Sequence, residues 1–326
     1  MFPRQRLRRT RLKKWSRELI SEHSIKSSDF ILPIFICDGN NKETEINNLP
    51  NIFRYSVDNI SIPIDRALKN KIPAVILFPE TPIEKKDEKG SEALNENNLI
   101  CTSIKEIKKK YKDEIGVITD VALDPYTSHG HDGILKNDIV DNDQTIEILK
   151  KQSLLQSTVG SDIIAPSDMM DGRVGEIRDY LDKHNYQYTQ IMSYAAKYAS
   201  NFYGPFRNAV GSSKNLKTDK KNYQMDYRNS LESLREIELD INEGADLIMI
   251  KPALLYLDII FQAKQKFNIP IVSYNVSGEY SMIQNAIKNK ILDRNSIYET
   301  LIALKRAGSN AIVSYFANEF LEELSN

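Results

Sequence analysis

Lys251 ends the apolar run 247–250 and is followed by Pro252. An ammonium at the end of such a run is partly desolvated, and desolvation favours the neutral amine. A neutral amine is the species that adds to a ketone to form an imine. The plain alternative is a lysine whose stem packs while its head reaches water. Lys197, in the segment MSYAAKYAS, stands just beyond a neighbouring strand-like run. Two adjacent cations depress one another's pKa, so a pair of lysines placed this way points to carbonyl chemistry through Schiff bases.

Other candidates cluster in loops. The segment DVALDPYTSHGHDG (120–133) offers Asp120, Asp124, His129, His131 and Asp132. These residue types suit a metal or the hydrogen bonding of a turn-rich loop, and without an HExxH helix the spacing leaves both open. Asp168 and Asp171, in APSDMMDGR, are acid or base candidates, or caps for a helix starting near Gly172. Arg207, Lys214, Lys217, Lys220 and Lys221 lie in or beside the long loop after Lys197. They form either a carboxylate-binding loop or a solvated run of charge.

The elements that must position these groups follow from periodicity. Short β-branched runs at 31–36, 74–78, 116–121, 162–165, 190–193, 247–250, 271–274 and 311–314 predict eight strands. Amphipathic stretches at 61–69, 99–112, 143–156, 172–183, 231–243, 256–267, 281–288 and 296–306 predict the helices between them, with Asp143 as a cap. Eight βα repeats fit a (β/α)8 TIM barrel, with an open doubly wound sheet as the alternative. No GxGxxG follows the first strand, which counts against a dinucleotide fold. In a barrel, the candidate residues all fall at the C-terminal ends of strands, where such folds carry their sites.

Composition bounds the rest. The 326 residues are 41% hydrophobic and 27% charged. No apolar run reaches the roughly 20 residues of a membrane helix, and the basic start leads to no secretory h-region. Two cysteines, Cys37 and Cys101, build no disulfide framework, so a cytoplasmic location is expected. Eight of the 44 basic residues precede the first acidic one, Glu18, which leaves 36 basic against 45 acidic beyond. The chain therefore reads as a basic arm, residues 1–25, on an acidic barrel, residues 26–326. Such an arm suits nucleic acid, a transit peptide, or the surface of another subunit.

The motifs DVALDPYTSHGHDG, APSDMMDGR, MSYAAKYAS, FYGPFR, YQMD, EGADLIMIKPA, YLDI and VSGEY occur in this order along nearly the whole chain. In this it resembles the delta-aminolevulinic acid dehydratase (porphobilinogen synthase) family. The resemblance implies condensation of two 5-aminolevulinate molecules through imines on Lys197 and Lys251. It implies substrate carboxylates on Arg207 and Lys220, and on Ser277 and Tyr315, under a lid at 202–221. Zinc-dependent members carry cysteines where this chain has Ala122, Asp124 and Asp132. That implies the aspartate-rich, magnesium-type subgroup, with no active-site zinc, and sometimes a monovalent cation. Asp120, Asp124 and Asp132 would then be acid/base or cation-ordering groups. An allosteric magnesium is implied at Glu236, which the stripe Leu231, Leu234, Ile237 and Ile241 would turn away from the barrel. Finally, the resemblance implies a homo-octamer of dimers joined through the arms, with neither nucleic acid nor membrane as partner. A Schiff-base aldolase needing Lys251 alone is the competing enzyme, and a nucleic-acid binder acting through the arm is the competing non-enzyme.

Overall fold

The computed structural model describes residues 4–211 and 219–325, so the expectations for Lys214 and Lys217 fall outside the described residues. Eight parallel strands close a barrel: β1 (Phe30–Cys37), β2 (Ala74–Glu80), β3 (Gly116–Val121), β4 (Ile163–Pro166), β5 (Gln190–Lys197), β6 (Leu247–Lys251), β7 (Ile271–Asn275) and β8 (Ala311–Ser314). Closure is made by β8 against β1, pairing Ile312 with Phe30 and Val313 with Ile31. All eight residues of β1 are buried, as expected for a strand covered on both faces. Pro33 sits inside it without costing a ladder bond on the closing side. The β8 pairing ends at Ile31, and β1 pairs again from Phe35 onward with the strand Phe53–Ser56 of a small outer hairpin.

The outer layer contains α1 (Ser61–Lys69), α2 (Leu99–Tyr111), α3 (Asn142–Thr158), α4 (Arg173–Lys183), α5 (Leu231–Asn242), α6 (Leu257–Lys266), α7 (Ser277–Lys288), α8 (Asn295–Ala307) and α9 (Ala317–Ser325). The apolar faces match the predicted periods, as in α3, where Ile146, Leu149, Ser153 and Gln156 are buried. Several boundaries differ from the reading of the sequence. Asp141, not Asp143, caps α3, by accepting from the Gln144 backbone N–H. Gly172 in the left-handed region precedes α4, and neither Asp168 nor Asp171 caps it. The helix expected from 281 starts at Ser277, and β5 extends four residues beyond 193. Apolar-run length underestimated β5 because its far end, Tyr194–Lys197 by number 194–197, mixes aromatic, small and charged residues that are all buried.

Residues 4–25 of the arm are not extended throughout. They form a 3-10 turn, Leu7–Thr10, and a short helix, Lys14–Leu19. Leu7, Leu12, Trp15 and Leu19 are 64–76% exposed, so this basic segment also presents apolar surface.

Candidate active site

Lys197 and Lys251 end adjacent strands as ladder partners, at the end of the barrel where TIM folds carry their sites. Both are buried, at 6% and 5% exposure. The register between β5 and β6 shifts here: Ile248 pairs with Ser193, but Ile250 pairs with Ala196. One extra β5 residue is accommodated, and such a bulge reverses the alternation of facing beyond it. Tyr194 and Lys197, three positions apart, therefore share a side, with the ammonium 5.9 Å from the ring centroid.

The Lys251 amine sits among aromatic rings, with centroids at 4.4 Å for Tyr274, 4.6 Å for Phe206, 5.2 Å for Tyr194 and 5.4 Å for Tyr203. Burial, reinforced by the charge of Lys197, lowers its pKa from 10.5 to about 7. That shift corresponds to on the order of 5 kcal/mol against the ammonium. Near pH 7 a substantial fraction of Lys251 is therefore neutral.

Lys197 has polar neighbours. Its Nζ pairs with Asp132 Oδ1 at 3.2 Å and donates to the Ser167 carbonyl. Asp132 Oδ2 meets Lys220 Nζ at 2.8 Å and accepts from the Tyr223 hydroxyl at 2.7 Å, while Lys220 also reaches Asp124 at 3.3 Å. Burial by itself would raise the Asp132 carboxyl, but Lys197 and Lys220 outweigh it and hold it well below the usual range. Asp120 feels the charge of both lysines. Burial raises it to about 6 against the pull of Lys197 and Lys251, a value suited to proton transfer near neutrality.

The expected carboxylate-binding residues divide in two. Lys220 joins the aspartates, which outweigh its burial and raise its pKa, while Arg207, on the short helix Gly204–Ala209, lies near enough to oppose that rise. On the other side, the Tyr315 hydroxyl is 3.2 Å from that of Tyr274, one of the rings around Lys251. The Ser277 hydroxyl accepts from the Phe206 N–H at 2.9 Å and donates to the Phe202 carbonyl at 3.4 Å, so here it grips the expected lid.

The histidines follow the hydrogen-bonding alternative. His131 Nδ1 is 3.2 Å from the Tyr223 hydroxyl, and His129 Nε2 is 3.2 Å from the Glu88 carbonyl. Among the described residues no three His, Cys, Asp or Glu side chains gather in a metal-holding group. Asp168 is fully buried, accepts from Met170 N–H and lies 3.8 Å from Arg173; burial raises it to about 6. Glu236 lies on the helix α5 and not at a strand end. The stripe predicted for α5 holds in part: Ile237 is buried and Leu234 and Ile241 are half-buried, but Leu231 is 74% exposed, and Ser233 and Asp240 are buried beside Ile237. Glu236 is consequently half-buried and lines a cavity of about 330 Å³ with Asp171 and Glu232. The aromatic cage and Tyr223 escaped the sequence reading. The tyrosines of MSYAAKYAS and YQMD were visible, but only the bulge and the loop crossing bring them to the lysines.

Comparison with known proteins agrees with this geometry. The family model of delta-aminolevulinic acid dehydratase matches residues 4–323. The delta-aminolevulinic acid dehydratase of Bradyrhizobium diazoefficiens is 50% identical over 320 residues, covering 98% of this chain and 90% of the relative. That of Chlamydia pneumoniae is 47% identical, covering 98% and 96%. A crystal structure of delta-aminolevulinic acid dehydratase (porphobilinogen synthase) from Toxoplasma gondii ME49, in complex with the reaction product porphobilinogen, superposes with a TM-score of 0.95 at 39% identity, covering 98% of this chain and 91% of the other. With the barrel, its paired lysines and full-length similarity in agreement, the chain belongs to the delta-aminolevulinic acid dehydratase family.

Proposed function

We propose that this protein condenses two molecules of 5-aminolevulinate to porphobilinogen with loss of two waters, as a lyase of tetrapyrrole and haem biosynthesis. One observation carries the reading: two buried lysines in register on adjacent strands, within a chain that matches the family over residues 4–323. Lys251, the more nucleophilic amine, attacks the ketone carbon of the substrate that supplies the propionate side. The C–N bond forms, a proton passes to the departing oxygen, and water leaves to give an imine. Lys197 forms the second imine with the substrate that supplies the acetate side. A protonated imine is an electron sink, so the neighbouring carbon loses a proton and attacks its partner. Asp120, raised by burial to about 6 and within the field of both lysines, is the candidate carrier of these protons.

Arg207 and Lys220 hold one substrate carboxylate by charge-assisted bonds, and Ser277 and Tyr315 hold the other through hydroxyls. Asp124 and Asp132 bracket Lys220. Their negative charge is thereby met by an ammonium, which does not favour a further hard cation between them, and Ala122 supplies no ligand. No residue is assigned to a monovalent cation.

Magnesium, as in the aspartate-rich subgroup, fits better at Glu236. Burial raises this carboxyl, and Asp240, Asp171 and Glu232 raise it further against the opposing Arg173. A hydrated divalent cation would relieve that excess of negative charge, held by Glu236 and mostly by its own waters. It would act by charge at a distance from the lysines. The exposed apolar and basic arm suits the acidic body of another copy, within an octamer of arm-joined dimers. Free, buried Cys37 and Cys101 accord with a reducing cytoplasm. No helix among the described residues is long and apolar enough to cross a membrane.

The direct test is porphobilinogen formation from 5-aminolevulinate, with borohydride trapping both lysines; absence of product, or adducts on neither lysine, would sink the mechanism. Glu236→Ala should blunt the response to magnesium, and deletion of residues 1–25 should lower the mass measured by light scattering. An unchanged magnesium response or mass removes the corresponding assignment.

A further inference from the structure

The helix Gly204–Ala209 carries Phe206 and Arg207 over the site, yet it has only six residues. Isolated helices below about 12–15 residues are marginal in water, so its position must be set by what it docks against. One anchor lies at its start, where the Ser277 hydroxyl meets Phe206 N–H and the Phe202 carbonyl. Gly278 permits that approach, since a Cβ there would stand 2.5 Å from the Phe202 carbonyl oxygen.

The other anchor comes from outside the barrel. Arg54, on the hairpin strand Phe53–Ser56, donates from Nε to the Ala209 carbonyl at 2.8 Å. That carbonyl ends the helix, where carbonyls lack intrahelical partners and the dipole favours a cation. Glu80, at the end of β2, stands 3.0 Å from the same nitrogen, and the Arg54 side chain is 15% exposed. The chain then turns at Gly211, in the left-handed region with φ of 67°, where a Cβ would lie 3.7 Å from Glu80 Cγ. Arg54 and Glu80 thus meet the helix end at the turn that Val210 and Gly211 form.

We infer that Arg54 is a positioning residue of this active site: backed by Glu80, it caps the short helix and so fixes Arg207 for the substrate carboxylate. The inference rests on the proposed role of Arg207. In steady-state kinetics Arg54→Ala should raise KM for 5-aminolevulinate about tenfold, the order of one lost hydrogen bond to a charged group, with a smaller change in kcat. Arg54→Lys, which keeps a donor and a positive charge, should recover part of the loss. If Arg54 acts through Arg207, the double variant Arg54→Ala/Arg207→Ala should have a KM no higher than Arg207→Ala alone. Unchanged KM in Arg54→Ala beside a raised KM in Arg207→Ala would overturn the inference alone, as would multiplying effects in the double variant. Unchanged KM in Arg207→Ala would remove the carboxylate reading and this inference with it. Thermal melting of each variant separates these outcomes from unfolding, and a melted Arg54→Ala leaves Arg54→Lys and Glu80→Gln to give the same KM comparison. Unchanged KM in both of those folded variants would also overturn it.

Discussion

Lys251 and Lys197 are ladder partners and equally buried, yet their surroundings are opposite. Around Lys251 stand four aromatic rings, while Lys197 faces a carboxylate, a carbonyl and, through Asp132, a second ammonium. Burial without a directly paired carboxylate makes an amine nucleophilic, whereas burial with one makes it part of an ion network. Two chemically identical side chains are thus prepared for different steps by their neighbours, and the first imine is expected on Lys251.

The largest test of that difference removes the nucleophile. Lys251→Met should reduce turnover by roughly ten-thousandfold or more, the scale seen when a covalent catalyst loses its nucleophile. Turnover near the parent level would transfer the chemistry to Lys197 and erase the distinction. Next in size is the network. Asp132→Ala leaves Lys197 and Lys220 without the carboxylate they share, and breaking a buried pair in this way costs about 3–5 kcal/mol. Urea unfolding should show that loss, and a change below about 1 kcal/mol would mean that water already screens the cluster.

The smallest and most diagnostic effect is on pH. Protonated amine is inert and neutral amine attacks, so borohydride-trapped adduct at Lys251 in a single turnover should rise as pH increases through about 7. A rise centred near 10 would show that burial and the Lys197 charge do not control the amine.

Much of this was legible in the residues. The alternation of apolar runs announced eight strands, because a strand covered on both faces must be apolar along its length. Lys251 was conspicuous as a charge ending such a run. Its partner was harder to place, since 194–197 lacks a β-branched signature and the strand had been read as stopping at 193. The face of α5 is turned from its apolar stripe because Asp240 is buried by pairing with Arg173 at 2.9 Å, a partner 67 positions away that no helical period reveals.

The sequence by itself determined the repeat, the arm and the identity of the reactive groups, because periodicity, charge and side-chain chemistry are local properties. Only the tertiary structure decided their condition. The bulge that turns Tyr194 toward the lysines, the crossing that brings Lys220 and Tyr223 to Asp132, and the hairpin that delivers Arg54 to Ala209 all join distant segments. The pKa of a lysine depends on the groups packed around it, and those become neighbours only when the barrel closes.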